Sequence, residues 1–418
     1  MKKLKTISSS LLVAAFVVGC SNKLDDTALD VQAVDNQLSA SSADDESLPI
    51  FASFNNAYKT TVAENDPISR KDPRNSDKYF VKLINSAKKT LDGAFYDIQD
   101  PDVTQAFINA HKRGVKVRLV TDDENLKDKQ DPTKDRQSII DLKKAGIEVK
   151  DDKREKLMHN KFMVVDNTYV WTGSMNLTTS SMYHHNNNSI RIKSPELAQN
   201  FNAEFSRFWD QNLYGTNPHT IPNQVVNVAG SSIRTFFSPG GGTNLAIVEE
   251  LKKAKKSIKF MAFSMTHKDI LAVMTEKKQA GLNVEGIFDE CLIPQYSIYF
   301  ALKKANIFTR GDGNQALMHH KVMIIDDETV ITGSFNFSKS ADEGNNENCL
   351  FIKSPTLAKI YNSEYSRIKY AALNNKNIPP YDHPACSKHD SKGSQPAPAK
   401  NSAVVETEKA LWDKFTKE

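Results

Sequence analysis

The sequence predicts an α/β protein made of two homologous α/β/α sandwich lobes, packed about a pseudo-two-fold axis around one shared site. Three observations predict it. The stretch HNKFMVVDNTYVWTGSMN, His159 to Asn176, returns as HHKVMIIDDETVITGSFN, His319 to Asn336. The flanking segments return with it, in the same order. Apolar runs alternate with amphipathic ones through both copies, the pattern of layered strands and helices.

The chain opens with MKKLKTISSSLLVAAFVVGC. Lys2, Lys3 and Lys5 precede a short apolar core over 11–18, which reads as a secretory signal over 1–20, too short for a permanent span. Its Val-Val-Gly-Cys ending resembles the bacterial lipoprotein signal, in which the cysteine, here Cys20, carries the lipid after cleavage. That resemblance implies an exported, membrane-anchored lipoprotein of the cell envelope, held in the periplasm; Ser21 rather than Asp after the cysteine points to the outer membrane. An ordinary signal peptide cut nearby is the alternative. Residues 21–50, rich in Ser, Asp and Ala, read as a flexible tether.

The first lobe is expected over 51–214 and the second over 231–373, with 215–230 as linker. AKKTLDGAFYDI from Ala87 matches AKKSIKFMAFSM from Ala254, each a helix end running into a buried strand. KRGVKVRLVTDDE matches KQAGLNVEGIFDE, where Gly114 and Gly281 stop a helix and Asp122 and Asp289 close the next strand. LKKAGIEV matches LKKANIFT. After the motif, Pro195 and Pro355 stand at equivalent helix starts. The plan for each lobe is strand, helix, strand, helix, strand, motif strand, motif turn, strand, helix. Beyond about 374 the pattern stops. Residues 374–418 form a low-complexity tail, with a short amphipathic helix expected over 404–418.

Composition excludes other classes. With 39% apolar and 25% charged residues the chain is globular, not disordered. A net charge of +4 over 418 residues is too mild to mark a nucleic-acid binder by charge alone. Four cysteines are too few for a disulfide scaffold. With Cys20 lipidated, Cys291, Cys349 and Cys386 leave one pair and a free thiol as an option, and Cys349, in the apolar run CLFI, reads as a buried small hydrophobe.

KFMVVD and KVMIID are β-branched, apolar strands. Side chains alternate with period two, so His159 and Lys161 share a face, as do His319 and Lys321, while His320 faces away. An imidazole beside an ammonium suits a phosphate. Past each strand, Ser174 and Asn176, and Ser334 and Asn336, offer hydrogen bonds to phosphoryl oxygens. Duplication supplies two imidazoles: one attacks phosphorus, the other protonates the leaving alcohol. The two Lys and two Asn supply charge stabilisation, so neither metal nor cofactor is called for. His184 and His185 read as a polar loop, and the basic segment 153–156 as a solvated face.

Both copies carry His-x-Lys-x4-Asp followed by Gly-Ser-x-Asn, and in this the chain resembles the phospholipase D superfamily over 51–373. The resemblance implies one site built from His159, Lys161, Ser174 and Asn176 with His319, Lys321, Ser334 and Asn336. Asp166 and Asp326 are expected to be structural or charge-balancing. In many relatives a downstream acidic residue orients the histidine; Glu347 fits behind His319, and the same step behind His159 lands on Asn187. His159 as nucleophile and His319 as acid/base is the assignment taken from two-lobed relatives, with the reverse left open. The leading activity is hydrolysis of phospholipid to phosphatidate and a head-group alcohol through a phosphohistidine, with the lipid anchor holding the enzyme at a membrane. The run SFNFSKSADEGNNEN looks close to the bacterial nuclease and mitochondrial cardiolipin-hydrolase branch, so a metal-independent endonuclease acting on nucleic acid is the rival. Phosphatidyl transfer, as in cardiolipin synthases, is the third reading. A monomer is expected, since both motifs sit in one chain.

Overall fold

The computed structural model describes residues 47–55, 62–128, 130–216, 219–293 and 297–374. The expected signal with Cys20, most of the tether, Cys386 and the tail after 374 lie outside the described residues.

Each lobe is built on one mixed sheet. The N-terminal sheet contains β1 (Ile50–Phe54), β2 (Thr90–Phe95), β3 (Lys116–Thr121), β4 (Glu148–Asp151), β5 (Lys161–Val165), β6 (Tyr169–Gly173) and β7 (Asn188–Lys193). Their spatial order is β1-β7-β6-β5-β2-β3-β4. The C-terminal sheet contains β8 (Val226–Val228), β9 (Ser231–Ser238), β10 (Ser257–Ala262), β11 (Asn283–Phe288), β12 (Phe308–Gly311), β13 (Lys321–Ile325), β14 (Thr329–Gly333) and β15 (Glu347–Lys353). Its order, β12-β11-β10-β13-β14-β15-β9-β8, is the same plan with one added edge strand.

In each lobe three strands pair parallel and the motif strands pair antiparallel. Parallel neighbours need a crossover, supplied here by helices. Pro101–Lys112 joins β2 to β3, starting on Asp100, whose carboxylate accepts from the backbone N–H groups of Asp102 and Val103. Its counterpart is Lys268–Gln279. Gly114 and Gly281, at φ +89° and +88°, follow these helices in the left-handed region that glycine tolerates. Pro195–Trp209 and Pro355–Asn374 open on the expected prolines.

Two details differ from the expected plan. The motif's middle is a strand, β6 or β14, because the turn falls earlier, at Asp166-Asn167 and Asp326-Asp327, all with positive φ. Aspartate and asparagine tolerate that region better than other side chains. Within the expected linker, Val226–Val228 forms β8 and pairs antiparallel with β9, burying Val226 and Val228.

Period-two alternation divides the core into layers. Phe162 and Val164 of β5, with Val322 and Ile324 of β13, point into one apolar core shared by both lobes. Met163 and Val165 point into the outer core of the first lobe, Met323 and Ile325 into that of the second. The shared core also takes Phe201, Phe205 and Phe208 from one lobe and Tyr361, Tyr365 and Ile368 from the other. Burying one such side chain is worth about 1.5–3 kcal/mol, so this layer holds the lobes in one arrangement.

Candidate active site

The site lies where β5 and β13 begin. Each is preceded by a short bridge to the opposite lobe: Met158 pairs with Asn346, and Asn186 with Met318, both parallel. Asn346 N donates to Leu157 O at 2.8 Å, Asn186 N to Leu317 O at 2.9 Å, and His319 N to Asn186 O at 2.9 Å. These crossings are clasped from the opposite lobe. Arg154 Nη1 reaches Asn346 Oδ1 at 2.6 Å and Nη2 reaches Gly344 O at 3.0 Å. Asn314 Nδ2 reaches Asn186 Oδ1 at 2.8 Å and His184 O at 2.9 Å. Arg154 is therefore an inter-lobe clasp, not the solvated residue its basic neighbourhood suggests.

The crossings exchange the residues behind the two histidines. His159 Nδ1 lies 2.9 and 2.8 Å from the two carboxylate oxygens of Glu347. His319 Nδ1 lies 2.9 Å from Asn187 Oδ1. The sequence expectation placed Glu347 behind His319 and Asn187 behind His159, and the structure reverses both. The reason is topological: β7 and β15 each enter their sheet from the other lobe's motif, so Asn187 and Glu347 arrive beside the opposite histidine. Amide Nδ2 of Asn187 is spent on Ser181 O at 2.8 Å, so its Oδ1 accepts and His319 carries its proton on Nδ1. The Nδ1–Glu347 contact fixes His159 in the same sense. In both rings Nε2 is left for chemistry.

Ser174 and Ser334 stand behind these pairs rather than beside a phosphate. Ser334 Oγ donates to Glu347 Oε2 at 2.6 Å and accepts from Asn348 N at 3.0 Å. Ser174 Oγ donates to Asn187 Oδ1 at 2.9 Å and accepts from Asn188 N at 3.1 Å. Their phosphate-binding expectation is corrected on that ground, since both hydroxyls are fully buried and engaged. The glycine before each serine is dictated by contact. A Cβ on Gly173 would lie 2.2 Å from Asn188 O, and one on Gly333 2.4 Å from Asn348 O.

Lys161 and Lys321 are buried, each donating to the carbonyl of its own motif histidine, at 2.8 and 3.0 Å. Tyr96 and Phe263 wall the two halves: Lys161 Nζ lies 5.2 Å from the Tyr96 ring centre and Lys321 Nζ 4.8 Å from that of Phe263. The same rings pack on His159 and His319 at 5.0 and 4.6 Å. Burial pulls Lys161 down to about 7 although Glu347 opposes it, and pulls Lys321 well below the usual ammonium range, helped by Lys161. Burial also lowers His159 to about 4 against the pull of Glu347, and lowers His319 well below 6.5 with Lys321 and His185 adding to it. The single negative charge of a phosphate diester in this cluster would oppose that effect and favour the ammonium forms of the two lysines. Asn176 and Asn336 sit half-buried, each with a buried Oδ1 that has no partner among the described residues, so neither carbonyl is spent on the turn.

Asp166 and Asp326 each hold three backbone N–H groups. Asp166 accepts from the backbone N–H groups of Lys88, Lys89 and Thr90 at 2.7–2.9 Å. Asp326 does the same for Lys255, Lys256 and Ser257 at 2.7–2.9 Å. His320 faces away from the site, bonded to Asn188 Oδ1 at 3.2 Å and Glu364 Oε1 at 2.9 Å. His184 Nε2 pairs with Asp66 at 2.7 Å, and His185 lies 6.1 Å from His319, ring centre to ring centre. Cys349 is a buried free thiol and Cys291 is disulfide-bonded.

The residues that sequence reading missed are Tyr96, Phe263, His185, Asn188, Asn348 and the clasps. Only the flank repeat, which aligns Tyr96 with Phe263, carried a signal. Asp122, Asp123 and Asp152 lie close enough for one carboxylate oxygen of each to meet a cation. Asp122 already accepts from Met158 N at 2.9 Å, and burial raises it to about 8 and Asp152 to about 7.

Comparisons with known proteins identify the family. The family model described as cardiolipin synthase, PLD-like domain, matches residues 80–209 and 247–369, more than half of the chain. A phospholipase D of Rickettsia prowazekii (strain Madrid E) is 30% identical over 207 residues, covering 49% of this chain and 92% of the relative. A mitochondrial cardiolipin hydrolase of Chlamydomonas reinhardtii is 31% identical over 132 residues, covering 31% of this chain and 56% of the relative. The crystal structure of phosphatidylserine synthase from Haemophilus influenzae Rd KW20 superposes with a TM-score of 0.58 at 14% identity, over 86% of this chain and 96% of that one, a likeness of fold. With the motif present twice, its histidines and lysines gathered at one inter-lobe site and the family model matching both halves, the chain belongs to the phospholipase D superfamily and is a two-lobed phosphodiesterase.

Proposed function

We propose that the protein hydrolyses phospholipids to phosphatidate and a head-group alcohol, through a phosphohistidine on His159. The observation that carries the assignment of roles is the crossed pairing of the two rings. Glu347 accepts from His159 Nδ1, which makes Nε2 the more basic nitrogen and stabilises the positive charge that ring gains when it bonds to phosphorus. His319 has the neutral Asn187 behind it, which orients the ring without stabilising its charged form. A protonated His319 is thus the stronger acid.

His159 Nε2 attacks phosphorus, the bond from phosphorus to the leaving oxygen breaks, and His319 gives its Nε2 proton to that oxygen. The head-group alcohol departs. Neutral His319 then takes a proton from water, whose oxygen attacks phosphorus and breaks the P–N bond. Phosphatidate leaves, His159 is regenerated and His319 is protonated again. Lys161, Lys321, Asn176 and Asn336 hold the non-bridging oxygens throughout.

Phospholipid is favoured over nucleic acid by two supports: relatives named phospholipase D and cardiolipin hydrolase, and the lipoprotein-like signal ending in Cys20. Anchorage through Cys20 at the envelope, and a monomeric state, belong to the same proposal. The test sets phospholipid vesicles beside plasmid DNA, both in EDTA. Head-group release from vesicles, lost in His159→Ala, is the expected result. DNA nicking with intact vesicles selects the endonuclease. Phosphatidyl transfer to a second lipid or an added alcohol in preference to water selects the transferase.

A further inference from the structure

Asn188 and Asn348 each follow an orienting residue by one position, so their side chains leave the strand on the opposite face. Both are fully buried, and both reach into the other lobe. Asn348 Oδ1 lies 2.6 Å from Thr172 Oγ1, which donates to it, and Asn348 Nδ2 donates to Asn160 Oδ1 at 3.0 Å. Asn188 Nδ2 donates to Thr332 Oγ1 at 2.7 Å and to Tyr361 OH at 3.2 Å, and Asn188 Oδ1 lies 3.2 Å from His320 Nδ1. Asn160 and His320 are the middle residues of the two His-x-Lys motifs. Thr172 and Thr332 precede the two motif glycines. Each asparagine therefore grips, from below, the strand pair that carries the other lobe's histidine, lysine and motif turn.

We infer that Asn188 and Asn348 are crossed positioning residues, each setting one histidine against its orienting partner across the lobe interface. Asn348 ties Glu347 to the strand bearing His159; Asn188 ties Asn187 to the strand bearing His319. The two clamps serve different roles, one the nucleophile and the other the acid/base, because the two histidines do. This inference rests on the assignment of His159 as nucleophile and His319 as acid/base. A merely structural role makes no such distinction: it would lower the folded fraction and every activity together.

The experiment compares Asn188→Ala and Asn348→Ala on two substrates. Phosphatidylcholine vesicles present an alkyl leaving group that needs a proton; bis(p-nitrophenyl) phosphate presents one that does not. A displacement of about an ångström between reacting groups costs about 10²-fold. Asn348→Ala is expected to lose about 10²-fold on both, since attack by His159 is common to them. Asn188→Ala is expected to lose about 10²-fold on the vesicles but to keep the pre-steady-state burst of p-nitrophenolate. Thr172→Val and Thr332→Val remove the partner on the opposite lobe and should reproduce the two patterns, which covers an asparagine variant that fails to fold. Nitrogen-15 spectra of the histidine rings give a readout that needs no turnover: Asn348→Ala should shift the His159 Nδ1–H signal and Asn188→Ala that of His319. Equal losses on both substrates for both variants, or ring signals that do not move selectively, overturn the inference. A wild-type protein that cleaves neither substrate overturns the functional reading instead, and leaves the ring signals to decide the positioning.

Discussion

The two halves of this molecule share six motif residues, one strand order and one set of backbone contacts, yet they differ behind the imidazole. His159 has a carboxylate on Nδ1 and His319 has an amide. Around that difference most else is matched: Asp166 with Asp326, Lys161 with Lys321, Ser174 with Ser334, Tyr96 with Phe263. A duplicated scaffold gives two equivalent positions, and one substitution between Glu347 and Asn187 makes them unequal. On the proposed roles, division of labour between nucleophile and acid needs no separate architecture. It needs one residue whose charge tells the rings apart, delivered by a strand from the opposite lobe.

The largest effect should separate the histidines outright. His159→Ala is expected to abolish turnover, roughly 10⁴–10⁶-fold, on any phosphodiester. His319→Ala is expected to be as damaging on phospholipid, yet with a p-nitrophenyl ester it should accumulate a phosphorylated protein, detectable by mass and labile to acid. Accumulation in His159→Ala instead would reverse the assignment. Next in size, Glu347→Gln keeps the hydrogen-bonding shape but removes the charge. A loss of about 10²–10⁴-fold is expected, by analogy with other imidazole–carboxylate pairs. Its sign with pH is set by the same contact. The carboxylate raises the pKa of His159, so its loss lowers it, and the acid limb of kcat/KM, where His159 must be neutral, moves to lower pH as the plateau falls.

Making the halves alike is the sharper test. Asn187→Asp puts a carboxylate behind His319 and should raise its pKa. His319 must be protonated to release the alcohol, so the alkaline limb of the pH–rate profile should move to higher pH. The plateau should fall about tenfold, because a less acidic imidazolium is a weaker proton donor. An unmoved alkaline limb would mean that His319 is not the group it reports.

Much of this was legible in the chain. The repeat located both motifs, and period two in KFMVVD and KVMIID placed each histidine beside its lysine. Gly114, Gly281, Pro195 and Pro355 marked helix ends because their backbone constraints are local. The crossing was not legible. Glu347 follows His319 closely in sequence, and nothing local says that β15 enters its sheet from beside Leu157 of the other lobe. The serines were misread for a related reason: a hydroxyl suits a phosphoryl oxygen and a carboxylate equally well, and only the fold decides which it meets. Asn188 and Asn348 gave no signal, since an asparagine in a strand has no periodic signature.

The smallest expected effect falls where the halves do not differ. Asp166 and Asp326 each collect three backbone N–H groups at the start of β2 and β10, remote in role from the imidazoles. Burial favours their neutral forms, but the three donors outweigh it and hold both carboxyls below their ordinary value. A carboxyl whose pKa is lower in the folded state adds stability above its unfolded pKa and loses it as pH falls through the folded one. Asp166→Asn and Asp326→Asn should therefore each cost about 0.5–1.5 kcal/mol near neutral pH, solvent screening the partly exposed carboxylates, with kcat of the folded protein nearly unchanged. In urea unfolding, the difference from wild type should shrink as the buffer is taken below pH 4, where the wild-type carboxyls also lose their charge. The two variants should match each other, because the donors and distances match. A stability loss confined to one lobe, or a fall in kcat comparable to that of Glu347→Gln, would show that the asymmetry extends beyond the ring partners and into the strands that carry them.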